Sequence, residues 1–277
     1  MPVDQTYAVA IIGAGPAGLL AAHAVERMGH VPHIFAPLTK SAISKVQCLW
    51  KLPPGLEFKS YDLEVVKHGT AAGYARLLYG YETAPNSFDE VQAGHHMVWA
   101  LDEVYDWLWD RYEKEIYPGM VKMSGVQSLL GDYSVVINTA PLWKLCQDIK
   151  HNFQSVYTLV NTKQTNLEGH YVPASTYLNG RAESSDQWFR WSWCRGEETI
   201  EYSATAKNPM PIEMFSRGTK PISTDCNCWQ KGDVPGDKPR QLHRIGRFGQ
   251  WTRGVMNHHA FETTVALLST EGMGRNV

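Results

Sequence analysis

The stretch from Val9 to Ala22 constrains this chain more than any other. It reads Val-Ala-Ile-Ile-Gly-Ala-Gly-Pro-Ala-Gly-Leu-Leu-Ala-Ala. An apolar run of strand character passes through Gly13-x-Gly15-x-x-Gly18 directly into a run of helix character. Each glycine has its own steric task. Gly13 permits the tight turn after the strand. Gly15 leaves no side chain in the way of a pyrophosphate. Gly18 lets the helix lie close to the strand, and the free N–H groups at the helix start face the anion. Pro16 suits the first helical turn, where its missing N–H costs nothing. The strand before and the helix after supply the context that makes this short pattern a dinucleotide-binding opening.

One position departs from that pattern. The second strand is expected at Val31-Pro-His-Ile-Phe35, after Gly29 ends the helix. A carboxylate normally follows about 20 residues past the glycines and holds the ribose hydroxyls. Here the position is Ala36, followed by Pro37, and no Asp or Glu occurs between Glu26 and Glu57.

Bulk properties narrow the class of protein. The 277 residues suffice for one or two domains. A net charge of −2 provides no global field for nucleic acid or an anionic membrane. No run approaches the roughly 18 apolar residues of a membrane span. Asp4 precedes the first strand and no basic leader is present, so a cytoplasmic protein is expected. Five cysteines, an odd number, argue for a reducing compartment. Ten Trp and thirteen Tyr suit either a well-filled core or a stacking site for planar rings.

Along the chain, residues 37–60 lack periodicity and contain Pro53-Pro54-Gly55. Following the second strand, they should lie over a bound nucleotide at the carboxyl edge of the sheet. Thr70 to Tyr79 reads as a helix. Ser87-Phe-Asp-Glu90 is a capping-box pattern, and Val98, Leu101, Tyr105, Leu108, Tyr112 and Ile116 recur at helical period. Pro118-Gly119 stops that stripe. Val126 to Leu130 reads as a short strand. Val135 to Ile137 reads as a strand returning to the central sheet, and Pro141 as the start of a helix with Trp143 and Leu145 inward. Residues 156–160, 188–193 and 199–203 alternate like strands, with Phe189, Trp191 and Trp193 on one face and a turn at Gly196-Glu197. Near the end, Leu242 onward gives a strand, a Gly-rich turn and a helix from about Asn257 to Ser269.

Three elements in order carry a resemblance: Gly13-Ala-Gly-Pro-Ala-Gly18, Ser134-Val-Val-Ile-Asn-Thr-Ala-Pro141, and Gly246-Arg-Phe-Gly-Gln-Trp251 leading to a helix. Together they resemble the FAD-dependent amine oxidase and UDP-galactopyranose mutase superfamily, the last element looking most like the mutase branch. Small flavoprotein-like sequences of bacteriophages are similar. The resemblance implies an α/β fold: a FAD-type Rossmann domain, a parallel sheet with helices, plus an inserted helical and antiparallel-sheet substrate region. Residues 1–60, 120–150 and 240–277 would form the FAD-binding part. Residues 61–119 would be a helical insertion, and 151–239 an antiparallel, aromatic-rich substrate region. The fingerprint's place near residue 1 favours FAD over NAD. Gly13, Gly15, Pro16, Ala17 and Gly18 would face the pyrophosphate. Thr139, Gly246, Arg247 and Trp251 would lie at the cofactor. The double glycine that mutases carry after the second strand is absent. No second Gly-x-Gly-x-x-Gly occurs, so a reductant would visit an open flavin face or the enzyme would act as an oxidase.

In such proteins the flavin carries the chemistry and the protein orients it. Arg247 and Arg253 could hold an anionic substrate or cofactor phosphates, or serve in ordinary ion pairs. His258 could act as acid or base, or simply open the last helix beside His259. Cys226-Asn-Cys228 has only His243 nearby, short of the four ligands that zinc takes, so no metal is expected. Four functions follow. The first is a FAD-dependent oxidoreductase of the amine oxidase or mutase type, acting on a small molecule or nucleotide-linked substrate. The second is a sugar-nucleotide mutase that uses reduced FAD as nucleophile. The third is a flavoenzyme modifying nucleotides or DNA bases, against which the net charge weighs. The fourth, motivated by Ala36, is a nucleotide-binding protein without catalysis.

Overall fold

The computed structural model describes residues 6–81, 87–146, 148–165, 173–181, 188–203, 216–229, 242–253 and 255–273. The chain opens with β1 (Ala8–Ile12), α1 (Pro16–Arg27) and β2 (Val31–Ala36). A long loop then carries the short β3 (Cys48–Leu49). β4 (Ser60–Gly69), α2 (Ala71–Tyr79), the single turn α3 (Ser87–Glu90) and β5 (Gly94–Ala100) follow. Next come α4 (Leu101–Tyr112), β6 (Ile116–Pro118), α5 (Met123–Asp132), β7 (Val135–Asn138) and α6 (Leu142–Leu145). The remaining strands are β8 (Phe153–Gln164), β9 (Ala174–Gly180), β10 (Trp188–Cys194), β11 (Glu197–Ser203), β12 (Ser216–Thr224) and β13 (Leu242–Arg244), and the chain closes through α7 (Gly246–Gln250) and α8 (His259–Thr270).

Two sheets organise these elements. The first is five-stranded and parallel, in the order β13-β7-β1-β2-β6. Successive residues of β1 point to opposite faces, and the two faces bury different layers. Val9 and Ile11 join Ile34, Val135 and Ile137 against α1, α4 and α8. Ala10 and Ile12 join Val136 and Leu242 against α5 and α6. A strand buried on both faces reads as a continuous apolar run, as 9–12 does.

The second sheet has eight strands in the order β12-β8-β11-β10-β9-β4-β5-β3. All its pairings are antiparallel except β4 with β9. Helix α2 packs on it through Tyr74 and Leu78, which meet Leu63, Val65, Leu178 and Phe189. Thr70 caps that helix by accepting from the Gly73 N–H, and Gly80 ends it at φ +82°, a left-handed value that suits glycine. The result is the expected α/β architecture, a parallel sheet with helices joined to a largely antiparallel sheet.

Several local expectations need correction. The stripe from Val98 to Ile116 is not one helix: Val98 lies in β5 and Ile116 in β6, and only 101–112 are helical. Their buried side chains happen to stay in phase across two element boundaries. Residues 61–119 are therefore not a purely helical insertion, since they contribute β4 and β5 to the second sheet and β6 to the first. Helix α4 packs against α1 in the core beside the first sheet. Val126 to Leu130 is helical, part of α5; Val126, Leu129 and Leu130 recur at i, i+3 and i+4. In α6, Leu142 and Leu145 face inward and Trp143 outward, 48% exposed. Phe189 and Trp191 do not share a face either, because a bulge between Trp188 and Arg190 turns Phe189 into the core. The side chains of Ser87 and Glu90 that a capping box needs lie outside the described residues, as does part of 151–239.

Candidate functional site: a glycine turn opening onto a polar sheet

The site begins where β1 ends. Gly13 has φ +107° and passes the chain to α1, whose N-cap is Gly15 and whose first residue is Pro16. A Cβ on Gly18 would fall 1.9 Å from the Gly13 carbonyl oxygen, so only glycine allows this helix to sit against the turn. A Cβ on Gly15 would meet nothing within 4 Å. The space beside Gly15 is therefore open, and the first N–H groups of α1 have no partner within the helix. An anion placed in that space would meet those donors.

Thr139 completes the turn. Its hydroxyl donates to the Ile12 carbonyl at 3.0 Å, and the backbone N–H groups of Thr139 and Ala140 donate to the same oxygen at 2.9 and 3.0 Å. The end of β7 thus clamps the end of β1. Helix α7 closes from the other side: Gly249 lies so near the Asn138 carbonyl that a Cβ would sit 2.2 Å from its oxygen.

From this niche a cavity of about 780 Å³ runs to the second sheet. Gly13, Gly15, Pro16, Ala17, Gly18, Thr139 and Arg247 line it. Gly246 does not line it, but its backbone packs against Ala17, 2.8 Å from where a Cβ would stand. Trp251, Arg253 and His258 lie outside the lining. Trp251 is buried in the core below, its indole N–H donating to the Gln154 carbonyl at 3.1 Å. His258 caps α8, its ring 4.4 Å from that of His259. Burial and the adjacent His259 push its pKa down to about 4, so it is neutral at pH 7.

The loop after β2 forms the cavity's rim, as its position predicts. It is tied down at several points. Tyr105 accepts from the Ser41 N–H and donates to the Ala14 carbonyl, each at 3.1 Å, which joins the rim to the glycine turn. Glu197, 6% exposed, accepts from the Ser44 hydroxyl, from the Lys45 N–H at 3.0 Å and from Gln164 at 3.0 Å. Ala36 lines the cavity at the end of β2, and the first hydroxyl-bearing lining residues after it in the chain are Thr39 and Ser41.

The floor was not legible in the sequence. Strand pairing sets Ser192 between Thr176 and Thr199, and Arg190 between Leu178 and Glu201. All six line the cavity. Arg190 and Lys220 both bond the Glu201 carboxylate, the latter at 2.8 Å. Among the described lining residues Glu201 is the sole carboxylate, against four cations: Arg190 and Lys220, which bond it, and Lys144 and Arg247. Burial and the like charges of Arg190 and Arg247 push the pKa of Lys220 well below its ordinary value. Burial also lowers that of Arg190, with Arg247 adding to the shift. Cys48, another wall residue, has its thiol pushed up to about 12 by burial and is no nucleophile at neutral pH.

A glycine turn at the carboxyl edge of a parallel sheet, opening toward an antiparallel sheet, defines the fold of FAD-binding flavoproteins. No protein-family model and no curated protein matches the sequence. Solved structures match in shape. A point mutant of 2-methyl-3-hydroxypyridine-5-carboxylic acid oxygenase is similar with a TM-score of 0.51, at 14% identity, over 97% of this chain and 82% of that one. Reduced UDP-galactopyranose mutase is similar with a TM-score of 0.50, at 10% identity, over 98% of this chain and 95% of that one. At such identities the likeness is one of fold.

Proposed function

We propose that this chain is a FAD-dependent oxidoreductase whose substrate is a small anion bound between the flavin and the second sheet. The continuous cavity carries the reading. One end is the Gly13–Gly18 turn with its open niche, and the other is a polar floor with surplus positive charge. The volume of about 780 Å³ is that of a cofactor-sized or ligand-sized cleft. The fit to FAD is tested by the glycines: Gly15 leaves the space a pyrophosphate needs, and α1 directs its free N–H groups there. The ribose is the exception. With Ala36 in place of an acid, its hydroxyls would meet the rim, where Thr39 and Ser41 stand.

Bound FAD would supply hydride acceptance or donation. The protein's own residues do the rest. Arg190, Lys220 and Arg247 hold the anion by charge-assisted hydrogen bonds. An anion there would raise the proton affinity of Lys220, against the lowering by burial and the neighbouring arginines. Thr176, Ser192 and Thr199 offer hydroxyls for neutral polar groups. The rim loop, pinned by Glu197 and Tyr105, restricts water.

The same cations suit the diphosphate of a nucleotide-linked sugar, which keeps the mutase reading as the second one. Consumption of an electron acceptor with turnover separates the two, because isomerisation leaves the flavin's redox state unchanged overall.

The test is a visible spectrum and mass identification of the ligand released from purified protein, followed by reconstitution. One FAD per chain and a melting temperature that rises with added FAD are expected. Colourless protein whose melting temperature ignores FAD would leave only a nucleotide-fold scaffold.

A further inference from the structure

A second constellation lies on the opposite side of the parallel sheet from α1. Cys146 ends α6, His151 precedes β8, and Cys226 and Cys228 follow β12. The four potential ligand atoms all lie within 4.8 Å of one another. Cys146 Sγ is 3.1 Å from His151 Nδ1 and 3.6 Å from Cys228 Sγ, and Cys228 Sγ is 3.6 Å from His151 Nδ1. In a tetrahedron with Zn–S near 2.3 Å and Zn–N near 2.0–2.1 Å, sulfur-to-sulfur edges are about 3.8 Å and sulfur-to-nitrogen edges about 3.6 Å. The Cys146, His151 and Cys228 atoms already stand close to those spacings, and Cys226 Sγ lies within 4.8 Å of each of them.

We propose that Cys146, His151, Cys226 and Cys228 bind one structural zinc ion. Three thiolates and one imidazole are a complete tetrahedral set, which leaves no position for water and so argues for a structural rather than a catalytic metal. Three thiolates around one dication leave a net charge of −1. Arg244 sits beside them: its guanidinium donates toward Cys226 Sγ at 3.7 Å and to the Cys226 and Cys228 carbonyls at 2.6 and 2.8 Å. It both orients the Cys-x-Cys turn and offsets the excess charge. The loops that present the ligands are cross-bonded independently. Asn152 N–H donates to Asp225 at 2.7 Å, and the Thr224 hydroxyl donates to the Asn152 carbonyl at 2.8 Å. Zinc would join the end of α6, next to the first sheet, to β8 and β12 of the second. The expectation of no metal looked to His243 for a third ligand. The fold brings Cys146 and His151 instead, far away in sequence.

The test uses the full chain, reduced and desalted, with zinc alone as the probe. About one zinc per chain should survive desalting. Cys228→Ser and His151→Ala should each cut zinc content by more than tenfold, whereas Cys194→Ser, outside the cluster, should not change it. Cobalt(II) in place of zinc should give the intense visible bands of a tetrahedral thiolate site in the unaltered protein, so the result does not depend on variants that fold. A chelator should lower the melting temperature of the zinc-loaded protein. Failure of the reduced protein to retain zinc, zinc content unaffected by Cys228→Ser, or a weak octahedral cobalt spectrum would each overturn the assignment.

Discussion

At the scale of single residues, two glycines three positions apart separate binding from folding. Gly15 faces open space, and Gly18 faces a carbonyl oxygen 1.9 Å from where its Cβ would be. Gly18→Ala must therefore push α1 off the turn, and should lower the unfolding free energy by about 1–3 kcal/mol, as overpacking does. Gly15→Val should melt within about 0.5 kcal/mol of the unaltered chain. Chemical denaturation of both variants checks the contrast. His258 makes a pH prediction. Its pKa is about 4 in the folded chain against an ordinary 6.5, because burial, His259 and Lys51 disfavour the imidazolium. Between those values the unfolded chain binds more protons than the folded one. Stability is thus full above about pH 6.5 and falls as pH drops toward 4, by of order 1–3 kcal/mol from this group. Denaturant midpoints measured from pH 7 to 4 should slope more gently in His258→Gln than in the unaltered protein.

At the scale of elements, one buried carboxylate anchors the middle of the rim loop. Glu197 at the start of β11 receives three donors, two of them from residues 44 and 45. Glu197→Leu should leave those donors unmatched and free the loop, with protection of residues 41–47 against hydrogen exchange falling at least tenfold while β1 and α1 keep theirs. Unchanged exchange in that segment would show the loop is held elsewhere. Elements that rest on local stereochemistry were legible in the sequence. β1, α1, β2, α2, β7 and the β10–β11 hairpin all stand where periodicity and glycines place them. In that hairpin the turn falls at Arg195 and Gly196, both with positive φ. Misreadings arose where the signal was short or ambiguous. Val126 to Leu130 is too brief to tell strand from buried helix by apolar content alone. Val98 and Ile116 fit a helical period by coincidence of phase across element ends. The bulge that separates Phe189 from Trp191 depends on the partner strand, which no local pattern announces.

At the scale of the whole molecule, the site divides the same way. The glycine turn, Thr139 and Arg247 line one cavity, and the turn is legible because the motif is itself a piece of local geometry. The cationic floor is different in kind. Arg190, Glu201 and Lys220 come from three strands, and only cross-strand register sets them together. The cysteine cluster is likewise assembled from segments some 80 positions apart in the chain. Trp251 shows the converse: a residue singled out by motif serves the core instead, with 2% of its surface exposed. No helix among the described residues is long and apolar enough to cross a membrane.

The central claim is that FAD rests on the bare turn between β1 and α1. Calorimetric titration of FAD into flavin-free protein, beside the Gly15→Val variant, tests it most directly. One FAD per chain should bind saturably to the unaltered protein, and at least a hundredfold more weakly to the variant, which should still be folded. Equal affinity in the two proteins would contradict it, since a valine side chain and a pyrophosphate cannot occupy the same space.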